Sequence, residues 1–315
     1  MTAGTEADTS TDPGASDAQV LRYTQTNLNL AVNNTTSQEI IPSRQLRSSR
    51  RTSRHVAGTI TGELSPGTYF DFFEAVCRGT RTSAGETGSL VAIPSTGHVR
   101  RKLAIERYNS DLDLSRLYTE CRLTGFRLNV PAEGNSTIEW SVMGRGRKSL
   151  STSSAPYFSS PTDANALDVC NSLSGSMKLD GSQVGLVTAA TINFTMNSEA
   201  PNVLGQQFCP DILLGVANVS GSFTFLLDEA DTGSTIFENE TEVAVQLVLT
   251  NAATGGDSVT FDLPRVKLQT GDEEVRGDLS QPVTCAFQAL EATSGDILST
   301  IQITDSTVTT APPGP

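Results

Sequence analysis

The sequence predicts a mainly β protein: two packed antiparallel sheets, sandwich- or barrel-like, flanked by one α-helix. Composition is the first observation behind that class. Of 315 residues, 39 are Thr, 34 are Ser and 26 are Gly, a mixture that fits pleated, half-buried surfaces joined by many turns. Long helices would draw on Ala, Leu, Glu and Lys instead. The second observation is period. Over most of the chain apolar side chains recur at every second position, which buries one face of a strand and wets the other, as antiparallel sheets require.

Taken in order, residues 1–20 read as an acidic, unstructured tail, since they carry Glu6, Asp8, Asp12 and Asp17 and no apolar run. Residues 21–306 read as a single β domain, and 307–315 as a flexible end closing on Ala-Pro-Pro-Gly-Pro. Alternation begins at Leu28, Leu30 and Val32. An arginine-dense stretch with no apolar period follows and predicts an arm over 43–54. One long helix is expected next, with Ser65 as N-cap, Pro66 as first helical residue, and Tyr69, Phe70, Phe73 and Val76 or Cys77 at three-to-four spacing up to Gly79. A second helical turn is expected near Thr235 to Asn239.

The remaining strands are read from their alternating pairs. Leu103/Ile105 comes first, then a loop at 108–120, then Leu123 and Phe126/Leu128/Val130 with a bulge at Gly125. Ile138/Trp140/Val142, Ile192/Phe194/Met196, Val219 to Leu227, Val243 to Leu249, Val259/Phe261/Leu263, Val283/Cys285/Phe287 and Ile301/Ile303 complete about ten strands.

Several function classes lose their support at this point. Mean hydropathy is -0.18, and no run approaches the roughly 20 apolar residues of a spanning helix. The amino-terminal stretch lacks the basic and apolar regions of a secretory signal, which predicts a chain that stays in the cytosol. Five widely spaced Cys (77, 121, 170, 209 and 285) contain no Cys-x-x-Cys pair and read as buried small hydrophobes. Asp228-Glu229-Ala230-Asp231 spells a helicase-type acidic motif, yet no lysine follows a Gly to build the phosphate loop that such chemistry needs. Asp111, Asp113 and Ser115 have the alternation of a calcium loop, but its sixth and twelfth positions fall on Arg116 and Arg122. His55 and His98 sit among arginines rather than beside an orienting carboxylate, and no Gly-x-Ser-x-Gly elbow is present. No enzyme, metal or cofactor is expected.

Charge is the remaining clue. Net charge is -13, and it is uneven: residues 1–159 hold 18 bases and 15 acids, whereas 160–315 hold 4 and 20. Such a chain repels nucleic acid in general, because phosphate affinity comes from Lys and Arg. Arg44, Arg47, Arg50, Arg51 and Arg54 form the densest basic run, with no aromatic among them to stack a base, so they read as an interface element that meets an acidic neighbour. Glu238, Glu240 and Glu242, spaced by two, would share one face of a strand as an acidic stripe.

The order of segments resembles the tail tube proteins of long-tailed bacteriophages. The similarity rests on Ser43-Arg44-Gln45-Leu46-Arg47, then Gly58-Thr59-Ile60-Thr61-Gly62-Glu63-Leu64-Ser65, then the helix from Tyr69 to Cys77. It continues through Leu103-Ala104-Ile105-Glu106-Arg107, Leu123 to Val130, Trp140 to Gly146, Leu179-Asp180-Gly181, Val219 to Phe223 and Val283 to Leu290. Each motif alone is weak, and their shared order over about 22–304 carries the likeness.

The resemblance implies a structural virion protein without enzyme activity, a homo-oligomer whose hexameric rings stack into a hollow tube. It implies as partners the tape measure protein, the tail terminator and the distal tail or baseplate proteins, with phage DNA passing through without sequence-specific binding and no membrane contact. Assembly is expected in the bacterial host cytoplasm. Inter-subunit contact is expected from Arg44, Arg47, Arg50, Arg51 and Arg54 on the arm and from Asp111, Asp113 and Arg116 on the loop, because sheet edges must be hidden against neighbours. Glu238, Glu240 and Glu242 are the expected acidic lumen stripe. Another virion β-protein, such as a capsid decoration or tail terminator protein, stays open as a second reading. A carbohydrate-binding or adhesion domain is a third, opposed by the single Trp and five Tyr.

Overall fold

The computed structural model describes residues 1–6, 18–83, 88–151, 156–158, 160–184, 187–226, 238–252, 255–271, 282–295 and 298–308. In chain order its elements are β1 (Thr2–Glu6), β2 (Ala18–Val20), β3 (Gln25–Thr26), β4 (Asn29–Thr36), β5 (Ser49–Glu63) and the helix α1 (Phe70–Cys77). Next come β6 (Thr82–Ser83), β7 (Ser89–Ala92), β8 (Lys102–Asn109), β9 (Leu114–Val130), β10 (Thr137–Gly144) and β11 (Gly146–Ser151). A 3-10 turn at Ser172–Ser174 precedes β12 (Ser176–Leu179), β13 (Ser182–Val184), β14 (Val187–Met196) and β15 (Ala217–Leu226). The last strands are β16 (Glu242–Thr250), β17 (Ser258–Leu268), β18 (Pro282–Ala289) and β19 (Gln302–Asp305).

The protein is mainly β and antiparallel, with α1 as the one α-helix assigned in full among the described residues, as the composition and the two-residue period predict. Its strands form one connected sheet rather than two separate ones. From β5 the pairing runs through β10, β9, β14, β15 and β18 to β17, and then to β16 and β12. That continuous sheet doubles back on itself. Phe126 of β9 lies 6.3 Å from Phe261 of β17, four strands further along the pairing path, so the two halves of the path face each other across the core. The long β9 joins a second region as well, because its first half pairs with β8 and β11 while its second half pairs with β10 and β14.

Side-chain alternation is clean where the sequence shows it. In β10 every second residue from Ile138 to Gly144 is buried, and β16 does the same from Val243 to Leu249. The bulge expected at Gly125 leaves Thr124 as the extra residue, with Ser141 opposite Gly125 and Val142 opposite Leu123. Gly125 is required there because a Cβ would run into the Phe194 carbonyl oxygen of the neighbouring strand.

Helix α1 departs from the expected start. Ser65 does not cap it; its hydroxyl bonds Thr68 Oγ1 at 2.6 Å, and the helix begins after Tyr69. Gly67 explains the delay. It sits at φ 73°, outside the helical region, and its N–H donates to the buried Asp305 Oδ2 at 2.6 Å. The end is set by Arg78, left-handed at φ 55°, one residue before the expected Gly79. Every helical residue except Asp71 is buried, so α1 is a core element wrapped by sheet rather than a surface helix.

Four further expectations change. Thr2–Glu6 and Ala18–Val20 are not an unstructured tail: β1 pairs with both β2 and β8. Within the expected arm, residues 49–54 are paired strand, the first part of the 15-residue β5, and the loop expected at 108–120 is mostly the β8–β9 hairpin with its turn at residues 110–113. The proposed strand stripe fails because Glu240 takes φ 49° and only Glu242 lies in a strand. The helical turn expected from Thr235 and the Asp228–Asp231 motif lie outside the described residues, apart from Glu238 and Asn239.

Candidate assembly surfaces

The arm is a β-ribbon. β4 and β5 pair from Asn29/Ala57 out to Thr36/Ser49, with an irregularity between Val32 and Asn34 that lets two residues of β5 oppose one of β4. About seven residue steps at roughly 3.4 Å carry its tip about 24 Å beyond Val56, where the core ends. Beyond that point no residue of the ribbon or of the 37–48 turn is buried. Ile40, at 101% relative exposure, and Leu46 stand fully in water. A ribbon whose outer part carries exposed apolar and basic side chains, with none of them buried against the described residues of its own chain, is built to meet another.

The predicted arm arginines divide in two. Arg47 pairs with Glu39 at 3.0 Å in the open, an ion pair of small value. Arg44, Arg50 and Arg51 are exposed and make no ion pair among the described residues. Arg54 belongs to the fold instead: its guanidinium bonds Gln207 Oε1 and lies 4.6 Å above the Phe208 ring.

The β8–β9 hairpin carries the second predicted group. At its turn Asp111 and Leu112 are exposed, Leu112 at 70%, while Asp113 takes φ 47° and accepts a hydrogen bond from Tyr108 at 3.0 Å. Arg116 stands directly opposite Arg107 across the strands. Behind them Glu106 is buried and accepts from Ser115 and from the backbone N–H groups of Tyr157 and Phe158 at 2.7 and 3.0 Å, which ties residues 157–158 to the hairpin.

Of the predicted acidic stripe, Glu242 makes a two-pronged pair with Arg265, whose guanidinium holds its carboxyl below the usual range. Glu240 meets Lys267 at 3.4 Å. Only Glu238 makes no ion pair among the described residues, so the stripe is largely neutralised within the subunit.

Sequence reasoning passed over a third surface, the outward face of β5–β10–β9–β14–β15–β18. One row across it reads Glu63, Thr137, Asn129, Thr191, Ser222, Ala286, and the next Thr61, Glu139, Arg127, Asn193, Ser220, Gln288. Short hydroxyl and amide side chains dominate, with one Arg between strands bearing Glu139 and Asn193. They bond laterally, as in Thr191 to Ser222 and Thr224 to Thr284, both at 2.9 Å. The inward row behind it is Ile60, Trp140, Phe126, Phe194 and Val219, all buried. A flat, polar, nearly neutral face gains little by burial against protein and offers phosphate little to hold. The alternation that identified the strands already contained this face, in their polar positions.

A family model described as phage tail tube protein matches residues 1–293. No curated protein sequence matches the chain.

Proposed function

The chain belongs to the phage tail tube protein family, a structural component of the virion tail that assembles with other tail proteins, and on that premise we propose that it is the repeating subunit of a hollow tail tube. Six copies close a ring, rings stack, and the tape measure protein occupies the lumen until DNA replaces it. The tail terminator and the distal tail or baseplate proteins hold its two ends, and assembly takes place in the host cytoplasm. The family is not an enzyme family.

The observation that carries this reading is the β4–β5 ribbon, which exposes Ile40, Leu46, Arg44, Arg50 and Arg51 with nothing among the described residues of its own chain to cover them. Ring stacking gives such an element its partner, a neighbouring copy of a chain whose carboxy-terminal half is strongly acidic. The β8–β9 hairpin with Asp111, Asp113 and Arg116 supplies a second contact. Residues 21–306 act as one unit in the ring. The outward polar face of β5–β18 suits a lumen wall better than the neutralised Glu238–Glu242 region, because hydroxyls and amides keep a wetted surface over which a polyanion slides without a string of guanidinium contacts.

Negative-stain electron microscopy of the purified protein over a concentration series, with light scattering beside it, tests the reading. Hollow tubes or stacked rings are the expected result. A stable monomer, or a closed ring that never stacks, would move the protein to a decoration or terminator role.

A further inference from the structure

Arg78 leaves one nitrogen of its guanidinium unsatisfied. It closes α1, its Nε is buried with no hydrogen-bond acceptor, and its side chain makes no ion pair among the described residues. Buried polar groups in folded proteins are nearly always satisfied, so the Nε of this half-buried side chain marks a place where the described residues supply no acceptor. Its neighbours do not help. Burial first, and then the charges of Arg100 and Arg122, hold Arg78 below its ordinary pKa. Arg122 is itself buried, spends one end on Asp211 at 2.9 Å, and also leaves its Nε unpartnered.

Arg78 lines a surface cleft of about 330 Å3. Ile93, Met196, Val216 and Leu298 make one wall apolar, and Val216 and Leu298 are 76% and 42% exposed. His98 adds a further polar group to the lining, and Glu291 stands at its exposed rim as the one carboxylate. The cleft therefore asks for an occupant that brings an aliphatic side chain and a carboxylate together.

This chain presents such a group at the β8–β9 turn, where Asp111 and Leu112 project into solvent from elements that share no residue with the cleft. We infer that the Asp111–Leu112 turn of one copy docks in the Arg78 cleft of the next, with Leu112 against Val216 and Leu298 and Asp111 on Arg78. Knob and hole lie on different parts of the surface, so the contact is head-to-tail and repeats from copy to copy. The inference rests on the self-assembly reading above and gives it a specific joint.

Two experiments on the full chain test it, each with a control for folding by circular dichroism. Leu112→Cys combined with Val216→Cys should give a ladder of disulfide-linked oligomers under mild oxidation, whereas either single variant gives none. Asp111→Arg and Arg78→Glu should each raise the concentration needed for assembly about tenfold or more, and the double variant should recover most of that loss. Leu112→Asp, at an exposed turn that cannot unfold the core, should match the single charge variants. Wild-type tubes together with no ladder and normal assembly of Leu112→Asp would overturn this joint while leaving the tube reading intact. A wild type that never self-associates would overturn both.

Discussion

Phe73 and Trp140 meet edge to face, ring centroids 5.0 Å apart, at the point where helix and sheet share one core. Phe73 also lies 5.4 Å from Phe126 of β9 and 5.6 Å from Phe261 of β17, so one helical side chain touches both layers of the folded sheet. Phe73→Ala should therefore cost about 3–5 kcal/mol, the range for deleting a buried aromatic ring. Trp140 is the only tryptophan and is fully buried, so urea titration followed by its fluorescence reads that loss directly. A loss under about 1 kcal/mol would mean that the layers do not depend on the ring.

Trp140 also shows how much of this fold was legible. Its strand was found because Ile138, Trp140 and Val142 alternate with polar residues, and the buried cysteines were found because their spacing suited no bridge or metal. What alternation could not supply was partner choice. The ribbon of β4 and β5 has no apolar period beyond Val32 because it leaves the core, so a strand of exposed arginines looks like a loop in sequence. β1 and β2 escape notice for a related reason: the pairing of β1 with β2 and with β8 is backbone hydrogen bonding, which Thr, Ala and Gly permit without advertising. The Glu238–Glu242 spacing misled because strand period was assumed where Glu240 turns left-handed. Arg78 offers no sequence signal at all, since its unsatisfied Nε exists only once the chain has folded.

Glu74 is a buried carboxylate of α1 held by two arginines, Arg81 at 2.8 Å and Arg101 at 2.7 Å. Arg81 bonds it through Nε as well, and Arg101 also reaches the Gly79 carbonyl at the helix end. Glu74→Gln keeps the shape and removes the charge, leaving two guanidiniums in a site from which water is largely excluded. A loss of about 3 kcal/mol is expected, seen as a fall in Tm. The matching change at the solvent-exposed pair, Glu39→Gln opposite Arg47, should shift stability by less than about 1 kcal/mol. Equal effects at the two positions would refute the burial argument.

Asp305 gives the protein a pH dependence of defined sign. It is buried, and burial raises its pKa above the ordinary carboxylate range even though Gly67 and Thr307 donate to it at 2.6, 3.0 and 2.7 Å. The native state thus holds this proton more firmly than the unfolded state, so the stabilisation is fullest below the ordinary carboxylate pKa and declines as pH rises through the raised one. Asp262 is raised for the same first cause and acts in the same direction. Asp305→Asn removes the titration but also an acceptor. The stability gap between wild type and this variant should accordingly be widest in acid and narrow towards neutral pH, and taking the difference cancels every other group. A gap that stays constant or widens with pH would contradict the assignment.

The arm supplies the sharpest test of assembly. Arg47, Arg50 and Arg51 lie on a ribbon whose outer part is not buried by any of the described residues, and their only described carboxylate partner is Glu39, itself exposed. Replacing all three with Glu reverses six units of charge per subunit at a surface meant to meet an acidic neighbour, and each like-charge contact across an interface is costly. The monomer should keep its circular dichroism and its Tm, because no core residue and no buried ion pair is altered. Tube growth should fail, and added salt should restore only part of it, since screening removes repulsion without creating attraction. Replacing Ile40 and Leu46 with Ser separates the two halves of the contact: if the apolar tip anchors the arm, this variant loses tube growth at every salt concentration. Normal tubes from the charge-reversed variant would show that the ribbon, exposed as it is, does not join one subunit to the next.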